Sequence, residues 1–253
     1  MIWQIAYPVL LYYTVSSIVY FVLQFLIGTA NETYMLRQMI CSLITIPVTV
    51  SFLRQDKAVE ENVYGKADKS LNGEFFRDVI YVVVASIGFG IALNNVIAMT
   101  PLVTVSEGFQ NANTSFFAGG VWMEVLASGF VIPIAEELLF RGVVFKRLRM
   151  VLLDGKKAMI LSAVIFGIFH FNIVQFIYAA VLGILLAYFV EKTRKVSLAV
   201  IGHMAANLAA ILRAETGSLD FAYEPTMTGI GFTVMMASIG LMSVAYFQKA
   251  HAS

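Results

Sequence analysis

Apolar residues run along this chain in long blocks parted by short polar stretches, at 2–27, 35–53, 79–99, 117–140, 158–170, 173–190, 196–213 and 228–247. A hydrocarbon core of about 30 Å takes about 20 helical residues at ~1.5 Å each, so blocks of this kind predict transmembrane helices. Two of them are short: 158–190 is one nearly continuous apolar stretch, interrupted by His170-Phe171-Asn172. As a single straight helix it would rise about 50 Å, too much for one crossing without steep tilt. Lys156 and Lys157 precede it and Lys192, Arg194 and Lys195 follow it. The positive-inside rule puts both of those ends in the cytoplasm, which predicts a helical hairpin turning near His170. Gly28-Thr29-Ala30 is a weak cleavage site after the first block. No basic residue precedes that block and it is too long for a signal-peptide core, so it is expected to stay as a span.

Composition agrees. Of 253 residues, 59% are hydrophobic and 13% charged, with a mean hydropathy of +0.81, whereas soluble domains carry about 25% charged residues. A net charge of +1 provides no basic field for nucleic acid, so the partner that composition leaves expected is membrane lipid. The lone Cys41 cannot close an intramolecular disulfide.

The basic residues alternate between the two faces. Arg54, Lys57, Lys66, Lys69 and Arg77, then Arg141, Lys146, Arg147, Arg149, Lys156 and Lys157, then Lys192, Arg194 and Lys195, and finally Lys249 fall on one side, with Arg37 and Arg213 toward the other. The pattern predicts an all-α polytopic membrane protein of about eight transmembrane helices, with a short helical hairpin at 158–190 and both termini cytoplasmic. The whole of 1–253 reads as one integral membrane domain: variable spans over 1–116, a core over 117–214, and an external loop and last span over 215–253. Residues 54–78 are expected as a solvated loop. Residues 143–157, with Phe145, Leu148, Val151 and Leu152 among Lys146, Arg147 and Arg149, are expected as an amphipathic helix at the interface.

Ionisable groups inside spans are expensive and mark function. They cluster in Pro133-Ile134-Ala135-Glu136-Glu137-Leu138-Leu139-Phe140-Arg141, in Phe166-Gly167-Ile168-Phe169-His170 and in His203-Met204-Ala205-Ala206-Asn207. Glu137 and Arg141 are one turn apart and can pair, which leaves Glu136, about 100° around the helix, free. His203 and Asn207 share a face, and Pro133 removes a backbone hydrogen bond and should bend its helix, opening room for water. Counted from the basic anchors, Glu136 lies about 15 Å above Lys146, His203 about 12 Å above Lys195 and His170 about 20 Å above Lys157. Carboxylate and imidazoles at one depth can activate water against a carbonyl, and imidazole and amide N–H groups can hold the oxyanion. Every aspartate (Asp56, Asp68, Asp78, Asp154, Asp220) lies outside the spans and no His-Glu-x-x-His occurs. Plainer readings exist for each motif: a helix-end ion pair, a turn histidine bonding a backbone carbonyl, and interhelical glue. Glu124 is either an interfacial residue or part of a substrate path.

Glu136-Glu137-x-x-x-Arg141, Phe166-x-x-x-His170 and His203-x-x-x-Asn207, in this order over roughly 117–214, resemble the three motifs of the CAAX protease and bacteriocin-processing family. That family includes the type II CAAX prenyl endopeptidases and the bacterial abortive-infection-named proteins. The resemblance implies an intramembrane endopeptidase acting on a membrane-associated, prenylated or bacteriocin-type peptide. It makes Glu136 the water-activating residue, His170 its partner, His203 and Asn207 the oxyanion pair, and Glu137 and Arg141 the accompanying pair. No cofactor is favoured. Zinc or another divalent metal on Glu136, His170 and His203 is the competing expectation, set aside because no glutamate would be left as a separate base. A non-catalytic peptide-binding immunity or chaperone-like protein and a proton-coupled transporter are the alternatives. The expected location is the bacterial cytoplasmic membrane.

Overall fold

The computed structural model describes residues 2–65 and 72–252, and among them there are helices and loops but no strand. In chain order the main helices are α1 (Ile2–Ile27), α2 (Tyr34–Tyr64), α3 (Gly73–Ala98), α4 (Glu107–Phe117), α5 (Val121–Leu152), α6 (Gly155–Ile168), α7 (Ile173–Thr193), α8 (Val196–Thr216) and α9 (Met227–Ala250). Six of these, α1, α2, α3, α7, α8 and α9, are long and apolar enough to cross a bilayer. The pair α4 and α5, bent by 109°, makes a seventh at most. The expected count of eight is not reached because α6 has 14 residues and rises only about 21 Å. It is the short arm of a hairpin packed along α7, which is the hairpin expected at 158–190.

Three further expectations change. The polar stretch 54–78 is not a loop from its start, since α2 runs on to Tyr64; Lys66 and Lys69 lie outside the described residues. Segment 143–157 is not an independent interfacial helix. It continues α5 to Leu152, after which Leu153 turns left-handed (φ 54°) and the Asp154 carboxylate accepts the Lys157 N–H at 3.1 Å to cap α6. Arg141 is not a cytoplasmic anchor, because it is 1% exposed within the bundle.

Basic residues gather at one end of the bundle and find carboxylates there. Arg147 bonds Asp56 at 2.7 and 3.0 Å, Lys146 is 2.8 Å from Glu60, and Arg149 is 2.9 Å from Glu191. The partners Asp56 and Glu60 lie on the unexpected extension of α2. Arg147 also donates to the Gln4 carbonyl, and His251 lies 3.1 Å from Asp78 near the start of α3. The start of α1 and the end of α9 therefore sit at this basic end. At the other end Arg37 donates to the Gly28 carbonyl at 2.7 Å, while Arg213 bonds Asn95 and the Leu219 carbonyl.

Small residues set the helix spacing. A Cβ on Gly88 of α3 would lie 2.8 Å from the Met236 carbonyl and 3.0 Å from the Gly240 nitrogen of α9. The backbones touch there, the close approach that replaces hydrophobic driving force between membrane helices. Ser243 adds a bond to the Tyr81 carbonyl at 2.7 Å. With α3 fixed against both α9 and α8, α8 is held as one wall of the site.

Candidate active site

Two stretches of α5, Val125–Val131 and Leu138–Phe145, are wound as π-helix, with Ile132–Glu137 as α-helix between them. The first has a readable cause. In the π register the Ile132 N–H bonds the Ala127 carbonyl, so the Ser128 carbonyl would look to residue 133, which is proline and has no N–H. That orphaned carbonyl is taken by the side chain of Asn207 on α8, whose Nδ2 donates to Ser128 O at 2.9 Å and lies 3.4 Å from Ser128 Oγ. The helix runs on through Pro133 from Val121 to Leu152. The sharp angle falls between α4 and α5, and the missing backbone bond is replaced by an interhelical one.

One turn later the two glutamates separate as their 100° offset requires. Glu137 is fully buried; its Oε1 accepts from Arg141 Nη1 at 2.9 Å and lies 2.9 Å from His203 Nδ1. The Arg141 guanidinium stacks 4.5 Å above the Phe166 ring. Glu136 instead faces a cavity of about 1080 Å³, with its Oε2 3.9 Å from His203 Nε2. That gap is beyond direct hydrogen-bond range. Because the acceptor at Nδ1 is a carboxylate, the ring carries its proton there, and Nε2 is the nitrogen presented toward Glu136.

His170 sits at the hairpin turn, where Asn172 caps α7 by accepting the Gln175 N–H at 2.9 Å and donates to the His170 carbonyl at 3.0 Å. Its Nδ1 lies 3.0 Å from the Phe166 carbonyl. A carbonyl only accepts, so Nδ1 holds the proton and Nε2 keeps a lone pair. The plainer reading of His170 as a turn residue is thus met by one ring nitrogen while the other remains available. Phe166 lies edge-on to both imidazoles, with ring centroids 4.9 Å from His170 and 6.0 Å from His203.

Glu136, His170, His203 and Asn207 all line the one cavity, while Glu137 and Arg141 lie beneath it as a sealed pair. His203 and Asn207 do not act as one free donor pair: Asn207 has one N–H engaged by Ser128, and His203 is tied to Glu137. Among the described residues no group of three or more His, Cys, Asp or Glu is arranged to hold a metal ion, so the expected trio of Glu136, His170 and His203 does not fit one as placed. Glu124 is buried within the protein, with neither carboxylate oxygen hydrogen-bonded.

Sequence reasoning missed the other side of the cavity. Tyr13, Ser16, Ser17, Tyr20 and Gln24 of α1 and Tyr34, Gln38 and Ser42 of α2 line it, and Tyr13 stacks on Phe169 at 4.2 Å. The signal was present as a polar stripe at i, i+3, i+4 and i+7 inside otherwise apolar blocks.

Residues 118–209 match the family model described as type II CAAX prenyl endopeptidase Rce1-like. The matched segment holds all three motifs and ends just past Asn207, so the resemblance to the CAAX protease family stands on the core of the chain. No curated protein and no solved structure matches the chain.

Proposed function

We propose that this integral membrane protein is an endopeptidase that hydrolyses a peptide bond within its cavity, with Glu136 activating the water. The observation that carries the reading is the division of labour between adjacent carboxylates. Glu137 is closed off with Arg141 and orients His203, while Glu136 is left facing both the cavity and His203 Nε2. Glu136 takes a proton from water as the oxygen adds to the carbonyl, and returns it to the leaving amine as the C–N bond breaks. His170, with its Nε2 lone pair, holds the attacking water. The oxyanion lies toward Asn207, through its second amide N–H, and toward His203 when the ring is protonated. The fixed Glu137–His203 contact serves the role that a buried carboxylate plays for a catalytic imidazole, setting tautomer and orientation. By the positive-inside rule the basic end and both termini face the cytoplasm, in a bacterial cytoplasmic membrane.

The test is purified protein incubated with farnesylated and unlipidated peptides, wild type against Glu136→Gln. General-base removal is expected to lower kcat by about 10²–10⁴. Cleavage at the wild-type rate by the variant overturns the assignment, and peptide binding without any cleavage by wild type favours a non-catalytic binding protein.

A further inference from the structure

The groups that activate water are rich in acceptors and short of donors. His170 and His203 each hold a proton on Nδ1, so both Nε2 atoms present lone pairs, and Glu136 presents a carboxylate. Asn207 directs one amide N–H to the Ser128 carbonyl, which leaves a single fixed N–H for the oxygen that turns negative as water adds. His203 can help only after it has gained a proton. Oxyanion stabilisation works through donors in place before the charge develops, so the step calls for a second donor from another wall of the cavity.

Tyr13 of α1 stands on that wall. It lines the cavity with Glu136 and Asn207, and its hydroxyl lies within electrostatic reach of the Glu136 carboxylate. The hydroxyl is hydrogen-bonded to no other described residue, and a phenol keeps its proton at neutral pH. The ring is held in place, stacked on Phe169 with centroids 4.2 Å apart and planes 12° from parallel, and Phe169 immediately precedes His170. Phe169 is 6.3 Å from Phe140, and Phe140 is 4.8 Å from Phe166, the ring that lies edge-on to both imidazoles. One run of aromatic rings thus fixes the phenol relative to His170 and His203. Neighbouring groups on the same wall are placed differently: Tyr12 is packed into the core, Tyr20 accepts from Arg37, and Tyr34 accepts from Gln38. Gln24 lies about 16 Å further along α1. α1 is outside the matched residues 118–209, so the family match assigns Tyr13 no role.

Resting on the peptidase reading above, we propose that Tyr13 is a further catalytic residue, its hydroxyl donating a hydrogen bond to the oxyanion of the tetrahedral intermediate together with the Asn207 N–H. The phenol keeps its proton throughout. The water oxygen bonds the carbonyl carbon, its proton passes to Glu136, and the carbonyl oxygen takes the negative charge beside Tyr13. As the C–N bond breaks, Glu136 returns that proton to the leaving amine and the charged oxygen reforms its double bond to carbon.

Tyr13→Phe tests this, since it keeps a ring on Phe169 and deletes only the hydroxyl. For a peptide that wild type cleaves, kcat is expected to fall about 10²–10³-fold while KM stays within about threefold. A kcat within about twofold of wild type, or an effect confined to KM, overturns the proposal while leaving Glu136 as the base. If wild type cleaves no peptide, the peptidase reading fails by itself, and binding then decides the Tyr13 contact. The probe is a peptide with a phosphinate, a tetrahedral anion, at the scissile position, compared with its amide parent by fluorescence anisotropy. Tighter binding of the phosphinate by wild type, with a margin that shrinks about tenfold or more in Tyr13→Phe, upholds the contact. No margin, or the same margin in both proteins, overturns it.

Discussion

Gly183→Ala should damage the site from behind. Gly183 lies on α7, and a Cβ there would sit 2.7 Å from Arg141 Nη2, 3.2 Å from Ala163 Cβ and 3.4 Å from Ala163 Cα. Arg141 has nowhere to retreat, with its side chain 1% exposed, one nitrogen 2.9 Å from Glu137 and its plane 4.5 Å above Phe166. Alanine for glycine within a helix gains up to about 1 kcal/mol of propensity. Forcing a methyl group into a filled core costs about 1–3 kcal/mol. If the ion pair holds, the net destabilisation is about 0–3 kcal/mol; if the methyl group separates Arg141 from Glu137, the loss rises toward the roughly 3–5 kcal/mol of a broken buried pair. Since Glu137 Oε1 also bonds His203, kcat should fall with the displaced imidazole while KM changes less. The assays are thermal unfolding in detergent and steady-state cleavage, repeated in an Arg141→Lys background where Nη2 is gone. The substitution should cost less there, and an equal cost in both backgrounds, or none in either, refutes the steric argument.

Pro133 and Asn207 offer a paired test. Asn207→Ala should cost about 1–3 kcal/mol by leaving the Ser128 carbonyl unpaired, and Pro133→Ala, which supplies an N–H at that position, should recover stability without recovering kcat. Purified protein stripped with a chelator and verified metal-free by elemental analysis should retain full cleavage; loss of activity restored by added zinc would refute glutamate-only catalysis. The Lys157 backbone N–H holds the exposed Asp154 carboxyl below its usual range, so its folded-state pKa is depressed. The cap is therefore complete above about pH 4 and weakens as pH falls through the lowered pKa. Amide exchange in the first turn of α6 should accelerate in that acid range and lose this dependence in Asp154→Asn; an identical profile in the two proteins counts against the cap.

The helices, the hairpin and the Glu137–Arg141 pair were legible because each depends on spacing within one segment. Apolar block length gives spans, flanking lysines give the hairpin's ends, and i, i+4 geometry gives the pair. The first π turn was not legible, since it arises where Pro133 removes one donor and Asn207, 74 positions away by subtraction of these residue numbers, takes up the carbonyl left over. The link from Glu137 to His203 was hidden for the same reason. The reach of α2 past residue 53 was missed because its polar end is stabilised by Arg147 and Lys146 rather than by its own pattern. Similarly, the stripe on α1 reads as noise in a hydropathy window and acquires meaning only when the cavity beside it is seen.

That stripe also bears on how the protein is made. α1 leaves the ribosome before α5, α7 and α8, carrying serines, tyrosines and a glutamine along one face, and the helices that complete the opposite walls begin 94 residues or more after its end (121 − 27). At a synthesis rate of about 5–20 residues per second, the helix waits for at least several seconds with hydroxyl and amide groups turned toward lipid, its neighbour α2 or the insertion machinery. A nascent chain halted before α5 should thus be held by the translocon or a membrane chaperone, making biogenesis, as much as catalysis, sensitive to the polarity of the first helix.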